Sequence, residues 1–88
     1  MQNEALKICL ENFQAAVLAK LPRITDPIDE QRIRKYIPLL HLDGFSVLDA
    51  MEYCLCFEEV NPLLDEEVAL KRMELIRNKY YQNERSFN

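Results

Sequence analysis

The helical character of this chain is clearest in residues 4–21, EALKICLENFQAAVLAKL, which contain neither glycine nor proline. Apolar residues recur there at three- and four-residue steps, and that period places them along one side of an α-helix. The stripe consists of Leu6, Cys9, Leu10, Phe13, Ala16, Val17 and Leu21. Pro22 disfavours helical geometry at the residue before it, so we expect the first helix to end at about Leu21.

A second helix is predicted to begin at Asp26-Pro27. Aspartate is a favoured N-cap, proline suits the first helical position, and the two acids that follow favour the first turn. Pro38 lacks an N–H donor and disfavours helical geometry at Ile37, so the pattern predicts that this helix ends or kinks there. Its apolar stripe is narrower and consists of Ile33, Tyr36, Ile37 and Leu40.

The third helix is predicted over residues 47–60. The only glycine of the chain lies in Asp43-Gly44, which is a turn signal. Ser46, with Asp49 three residues later, resembles a capping box in which Asp replaces the usual Glu or Gln.

The fourth helix is predicted to follow Asn61-Pro62, a second pairing of a cap residue with proline. Four helices with short connections imply an all-α, compact, four-helix bundle-like domain. We expect residues 1–82 to form this single domain and residues 83–88 to be a frayed tail. The apolar residues of the fourth helix are Leu64, Val68, Ala69, Leu75, Ile76 and Tyr80.

The composition agrees with one small helical domain. The chain has 88 residues, of which 49% are hydrophobic, with one glycine and four prolines, too few turn residues for an all-β fold. It contains no apolar run of about 18 residues that could cross a membrane. Cys9, Cys54 and Cys56 make an odd cysteine count, whereas a small secreted domain usually carries an even disulfide framework. We therefore expect a cytoplasmic protein.

The net charge of −4 conceals a segregation of charge along the chain. Residues 43–67 contain eight acids and no Lys or Arg, whereas residues 71–85 carry a net +3. Acids at helix N-termini are favoured by the macrodipole, so part of this acidic block has a structural explanation. The remainder is either a solvated face or a docking surface for a basic partner. The acidity disfavours nucleic acid and anionic membranes as partners.

The sequence offers little for catalysis or for a cofactor. Cys54 and Cys56 are two residues apart, which places them about 200° apart on a helix, so they do not face one metal ion. His41, the only histidine, has no evident nucleophile beside it, and Ser46 is explained as a cap. A single glycine excludes glycine-rich phosphate loops. We expect no enzyme activity, no metal and no cofactor.

The segment LDAME at residues 48–52, continued by Phe57, Glu58 and Glu59, resembles the recognition helix of acyl carrier proteins. Those are also small, acidic four-helix domains, and the resemblance implies an acidic helix that docks on basic partner surfaces. Val47 stands at the position of the family's phosphopantetheine-bearing serine, with Ser46 one residue out of register. This mismatch argues against a carrier, so a carrier-like domain modified on Ser46 is only the third hypothesis.

The first hypothesis is a non-catalytic helical protein–protein interaction module, such as an adaptor, chaperone-like factor, inhibitor or regulator. Apolar helix faces and the acids of residues 43–67 would contact a protein partner that has a basic surface. The predicted partner-binding residues are Asp49, Met51, Glu52, Leu55, Glu58 and Glu59. The alternative is a self-associating assembly subunit that buries its excess apolar surface as a homodimer.

Overall fold

Helices make up 71% of the chain and no strand occurs among residues 2–85, which confirms the all-α, bundle-like class. The computed structural model describes the backbone of residues 2–85 and the side chains of residues 9–80. The helices are α1 (Gln2–Lys20), α2 (Pro27–Leu42), α3 (Val47–Cys54) and α4 (Glu66–Arg85). The side chain of the predicted stripe residue Leu6 and the tail residues 86–88 lie outside the described part.

The helices form a bundle-like domain that is flattened along one axis. The molecule measures 39 × 36 × 17 Å along its principal axes. α1 packs against α2 and α3, and α3 also packs against α2 and α4. Within residues 2–85, α4 approaches no other helix as closely as α3. The buried core consists of Val17, Leu21, Ile33, Ile37, Leu40, Phe45, Ala50, Tyr53, Cys54 and Ile76.

The sequence predicted that α2 ends or kinks at Pro38, but the helix continues to Leu42. Pro38 has no N–H, so the carbonyl of Arg34, four residues earlier, lacks its helical partner. The side-chain amide of Gln14 in α1 donates to this carbonyl at 2.7 Å and replaces that bond. Burial of Ile37 and Leu40 on either side of the proline also favours the continued helix. The prediction was that the helix ends or kinks at this point. The end is wrong, because a neighbouring helix supplies the donor, and a kink at Pro38 stays a prediction.

α3 is shorter than the predicted 47–60: it ends at Cys54, and turns follow up to residue 64. Leu55, Cys56, Phe57 and Val60 in this segment are all at least partly buried. In a continued α-helix those four positions would spread around the axis, and one of them would face solvent. Successive three-residue turns, such as the bond from the Phe57 N–H to the Cys54 carbonyl at 3.0 Å, let all four pack inward.

The predicted start signals of α2 and α3 are confirmed. The Asp26 side chain accepts a hydrogen bond from the Ile28 N–H at 2.8 Å, and Ser46 Oγ accepts one from the Asp49 N–H at 3.1 Å. The turn between these helices depends on Gly44, whose φ of +87° is in the left-handed region that favours glycine.

α4 begins at Glu66 rather than directly after Asn61-Pro62. Its N-terminal cap is Asp65, whose side chain accepts a hydrogen bond from the Glu67 N–H at 2.8 Å. The cap-plus-proline signal at 61–62 instead lies in the connecting turns. The helix reaches Arg85 and thus includes the first residues of the expected tail.

The three cysteines are free thiols. Cys54 and Cys56 are buried, as expected for small core residues. Cys9, which the sequence placed in the apolar stripe of the first helix, is exposed. Along α1, the described contacts with the core begin at Phe13, one turn further on.

Candidate interaction surface

Asp49 joins α3 to α4. Its carboxylate accepts hydrogen bonds from the Tyr80 hydroxyl and from Lys79 Nζ, the latter at 3.3 Å. The Tyr80 hydroxyl in turn accepts a bond from the Ser46 N–H at 3.0 Å. The hydrogen bond from Tyr80, and then the charge and hydrogen bond of Lys79, hold the pKa of Asp49 below its ordinary value. This acid, predicted for partner binding, is thus engaged within the fold.

Beside this contact, an aromatic cluster packs α2, α3 and α4 against one another. Tyr36 and Tyr53 stack with ring centroids 6.1 Å apart, and Phe45 stacks on Tyr80 at 4.3 Å. The Arg77 guanidinium donates to the Tyr53 hydroxyl and lies 5.6 Å from the centre of its ring. Burial, followed by the hydrogen bond with Tyr53, raises the pKa of Tyr36 to about 12. The Tyr36 hydroxyl therefore stays protonated at neutral pH and serves packing.

A groove of about 500 Å³ runs between α3 and α4. Leu75, on the outer wall of α4, is 67% exposed, whereas its neighbour Ile76 is buried. Leu55 at the end of α3 is half-buried and forms the opposite apolar wall. The groove is lined by Glu52, Leu55, Arg72, Leu75, Ile76 and Lys79.

The groove carries one charge of each sign that forms no ion pair with another described side chain. Within the described side chains, neither the carboxylate of Glu52 nor the guanidinium of Arg72 forms an ion pair or a hydrogen bond. The bond recorded at Glu52 is made by its backbone carbonyl, which accepts from the Cys56 thiol at 3.4 Å. Lys79, by contrast, is paired with Asp49. The groove therefore offers one anion and one cation beside the apolar side chains of Leu55, Leu75 and Ile76.

Glu58 and Glu59 face a different recess from Glu52. They line a depression together with Arg32 of α2 and the connection between α1 and α2. Glu59 Oε1 lies 3.8 Å from Arg32 Nη1, so part of this charge is already balanced. Glu58 is exposed. Glu52, Glu58 and Glu59 are therefore divided between two surfaces.

The six predicted site residues thus occupy three environments. Glu52 and Leu55 come together in the α3–α4 groove, and Glu58 and Glu59 lie in the second recess. Asp49 contacts Tyr80 and Lys79 of α4, and Met51 packs against the core. Whether these residues contact a partner stays a prediction.

Sequence reasoning missed Arg72 and Leu75 as members of the groove. It listed Leu75 and Ile76 together among the apolar residues of the fourth helix without separating their faces, but adjacent residues lie about 100° apart on a helix. Ala69 and Ile76 form one row seven residues apart that is buried, and Val68 and Leu75 form a parallel row that is exposed. The signal in the sequence was the presence of two such rows on one helix, each with a seven-residue spacing.

The remaining chemistry-bearing residues have structural roles. Ser46 Oγ caps α3 and is the hydroxyl considered above for modification. The His41 ring packs edge-on against Phe13 at 4.8 Å. Burial raises the pKa of Cys54 to about 12, so this thiol is protonated at neutral pH. In the part of the chain that is described, no group of three His, Cys, Asp or Glu side chains is arranged to hold a metal ion.

Comparisons with protein-family models, curated proteins and solved structures found no match to this chain. Of the helices described, none combines the length and hydropathy needed to cross a membrane.

Proposed function

We propose that this chain is a non-catalytic protein–protein interaction module whose partner binds in the α3–α4 groove. The observation that carries the proposal is the placement of α4, which packs closely against α3 and against no other helix within residues 2–85, and leaves Leu75 67% and Val68 41% exposed. Exposed apolar side chains flanked by charges are typical of the centre and rim of a protein interface.

The charges of the groove define the chemistry of the partner. Glu52 favours a basic group on the partner, and Arg72 favours an acidic group a short distance away. Because such pairs steer and orient a complex more than they tighten it, we attribute the affinity to Leu55 and Leu75. We place the complex in the cytoplasm, since all three cysteines are free thiols.

The test compares Leu75→Lys with the matched variant Leu42→Lys. Leu42 is 79% exposed in the last turn of α2 and does not line the groove. Tagged chains are purified from the native cell, co-purified proteins are identified by mass spectrometry, and a recovered partner is titrated calorimetrically. We expect wild type and Leu42→Lys to bind the partner equally and Leu75→Lys to bind at least about tenfold more weakly. Equal binding by all three chains would contradict the proposal.

The division of the acidic block allows a second comparison within the same assay. Glu52→Lys should weaken binding because Glu52 lines the groove, whereas Glu58→Lys should leave it unchanged. Loss of binding with Glu58→Lys alone would place the partner on the other recess and contradict the assignment to the groove.

A further inference from the structure

We infer that the partner in the α3–α4 groove is a second copy of this chain, related to the first by a two-fold axis. This inference rests on the proposed function, because it takes the same groove and names what fills it. An isologous interface must be self-complementary, since the same patch supplies both sides.

The charges of the groove meet that requirement. A patch of one sign repels its own copy, whereas this groove carries both Glu52 and Arg72, and neither side chain forms an ion pair or a hydrogen bond among the described residues. Both charges act on the Cys56 thiol between them, so they lie close together in the groove. A two-fold rotation that places Glu52 of one copy opposite Arg72 of the other also forms the reciprocal pair. Both charges are then satisfied by one symmetric contact. Lys79 is neutralised by Asp49 and adds no repulsion between the copies.

The apolar surface is self-complementary as well. Leu75 projects from α4 with two thirds of its surface exposed, and the groove beside it has an apolar floor formed by Leu55 and Ile76. In the two-fold arrangement, each Leu75 enters the groove of the other copy.

Sedimentation equilibrium of the purified chain tests the association. We expect wild type and Leu42→Lys to be dimers at concentrations on the order of 10–100 µM, and Leu75→Lys to be a monomer there. Circular dichroism shows whether each variant keeps its helices. A wild-type monomer at roughly 100 µM, or an unchanged dimer in folded Leu75→Lys, would overturn the inference.

Charge exchange tests the two-fold contact directly. Glu52→Arg gives a chain with two cations at the interface, and Arg72→Glu gives a chain with two anions. Each should associate with itself at least about tenfold more weakly than wild type, but an equimolar mixture should form a heterodimer. The chain that carries both substitutions should associate with itself again. A mixture no more associated than its separate components would overturn the pairing of Glu52 with Arg72.

The two proposals fail in different ways. If wild type is a monomer while Leu75→Lys still loses a different protein in the native-cell experiment, the second copy is excluded and the interaction module stands. If Leu75→Lys changes neither self-association nor the co-purified proteins, both proposals are excluded.

Discussion

The bond between Gln14 and Arg34 gives a prediction that can be measured through stability. Gln14→Met keeps the length of the side chain and removes the amide that donates to the Arg34 carbonyl at 2.7 Å. A neutral hydrogen bond of this kind contributes about 0.5–1.5 kcal/mol to stability. Since Arg34 is exposed and water can partly replace the donor, we expect the free energy of unfolding to fall by about 1 kcal/mol.

Gln14→Met should lower the free energy of unfolding by less when residue 38 has an N–H that can donate a hydrogen bond to the Arg34 carbonyl. Pro38→Ala restores an N–H four residues after Arg34, so the helix satisfies that carbonyl itself. In the Pro38→Ala background, Gln14→Met should cost at least about 0.5 kcal/mol less than in wild type, a difference at the upper limit of the usual error of additivity. Urea denaturation of the four chains in this double-mutant cycle measures the difference.

Gln31→Met is the control for the loss of a glutamine amide. Gln31 is an exposed residue of α2, and its cost should be the same with Pro38 and with Ala at that position. If Gln14→Met costs the same in both backgrounds within about 0.3 kcal/mol, Gln14 does not compensate for the proline, and the reasoning is refuted.

Two further predictions concern single groups. Tyr80→Phe removes the main hydrogen bond that lowers the pKa of Asp49, so we expect a loss of about 1–2 kcal/mol at pH 7. The stability linked to a lowered carboxyl pKa is present above the unfolded pKa of about 3.9 and is lost as pH falls through the folded pKa. The difference in the free energy of unfolding between wild type and Tyr80→Phe, measured by urea denaturation, should therefore shrink below about pH 4. A difference independent of pH would contradict this. In thiol alkylation at pH 8 followed by intact mass, exposed Cys9 should react at least about 100-fold faster than Cys54, whose burial raises its pKa to about 12, and equal rates in the folded protein would contradict that burial.

The sequence was sufficient for features that depend on neighbours in the chain. The all-α class and the start of α2 at Asp26-Pro27 follow from periodicity and capping, and the structure confirms both. It was insufficient where a distant residue changes a local rule. Pro38 ends a helix in isolation, but Gln14, which lies 24 residues earlier in the chain, makes the continued helix acceptable through a contact that periodicity does not reveal.

The interaction surface shows the same dependence on distant residues. Asp49 and Glu52 are three residues apart in one acidic block, and the sequence separated them only by explaining Asp49 as an acid of the helix N-terminus. The structure sets Asp49 against Tyr80 and leaves Glu52 over an open groove. The hydrophobic pattern of α4 could not separate Leu75 from Ile76 either, because the angle at which α4 meets α3 decides which of them is buried.

The contact of Asp49 with Tyr80 and the open position of Glu52 both result from the way that α4 packs against α3. Asp49 contacts Tyr80 and Tyr53 contacts Arg77, so α3 and α4 run in opposite directions and their joint lies toward the C-terminal half of α4. Within residues 2–85, no helix other than α3 packs closely against α4, so the groove beside this joint stays open. Substitutions at the joint should therefore change the free energy of unfolding, and substitutions in the groove should change association. The contacts that hold α4 against α3 and the open groove beside them are thus consequences of the same packing.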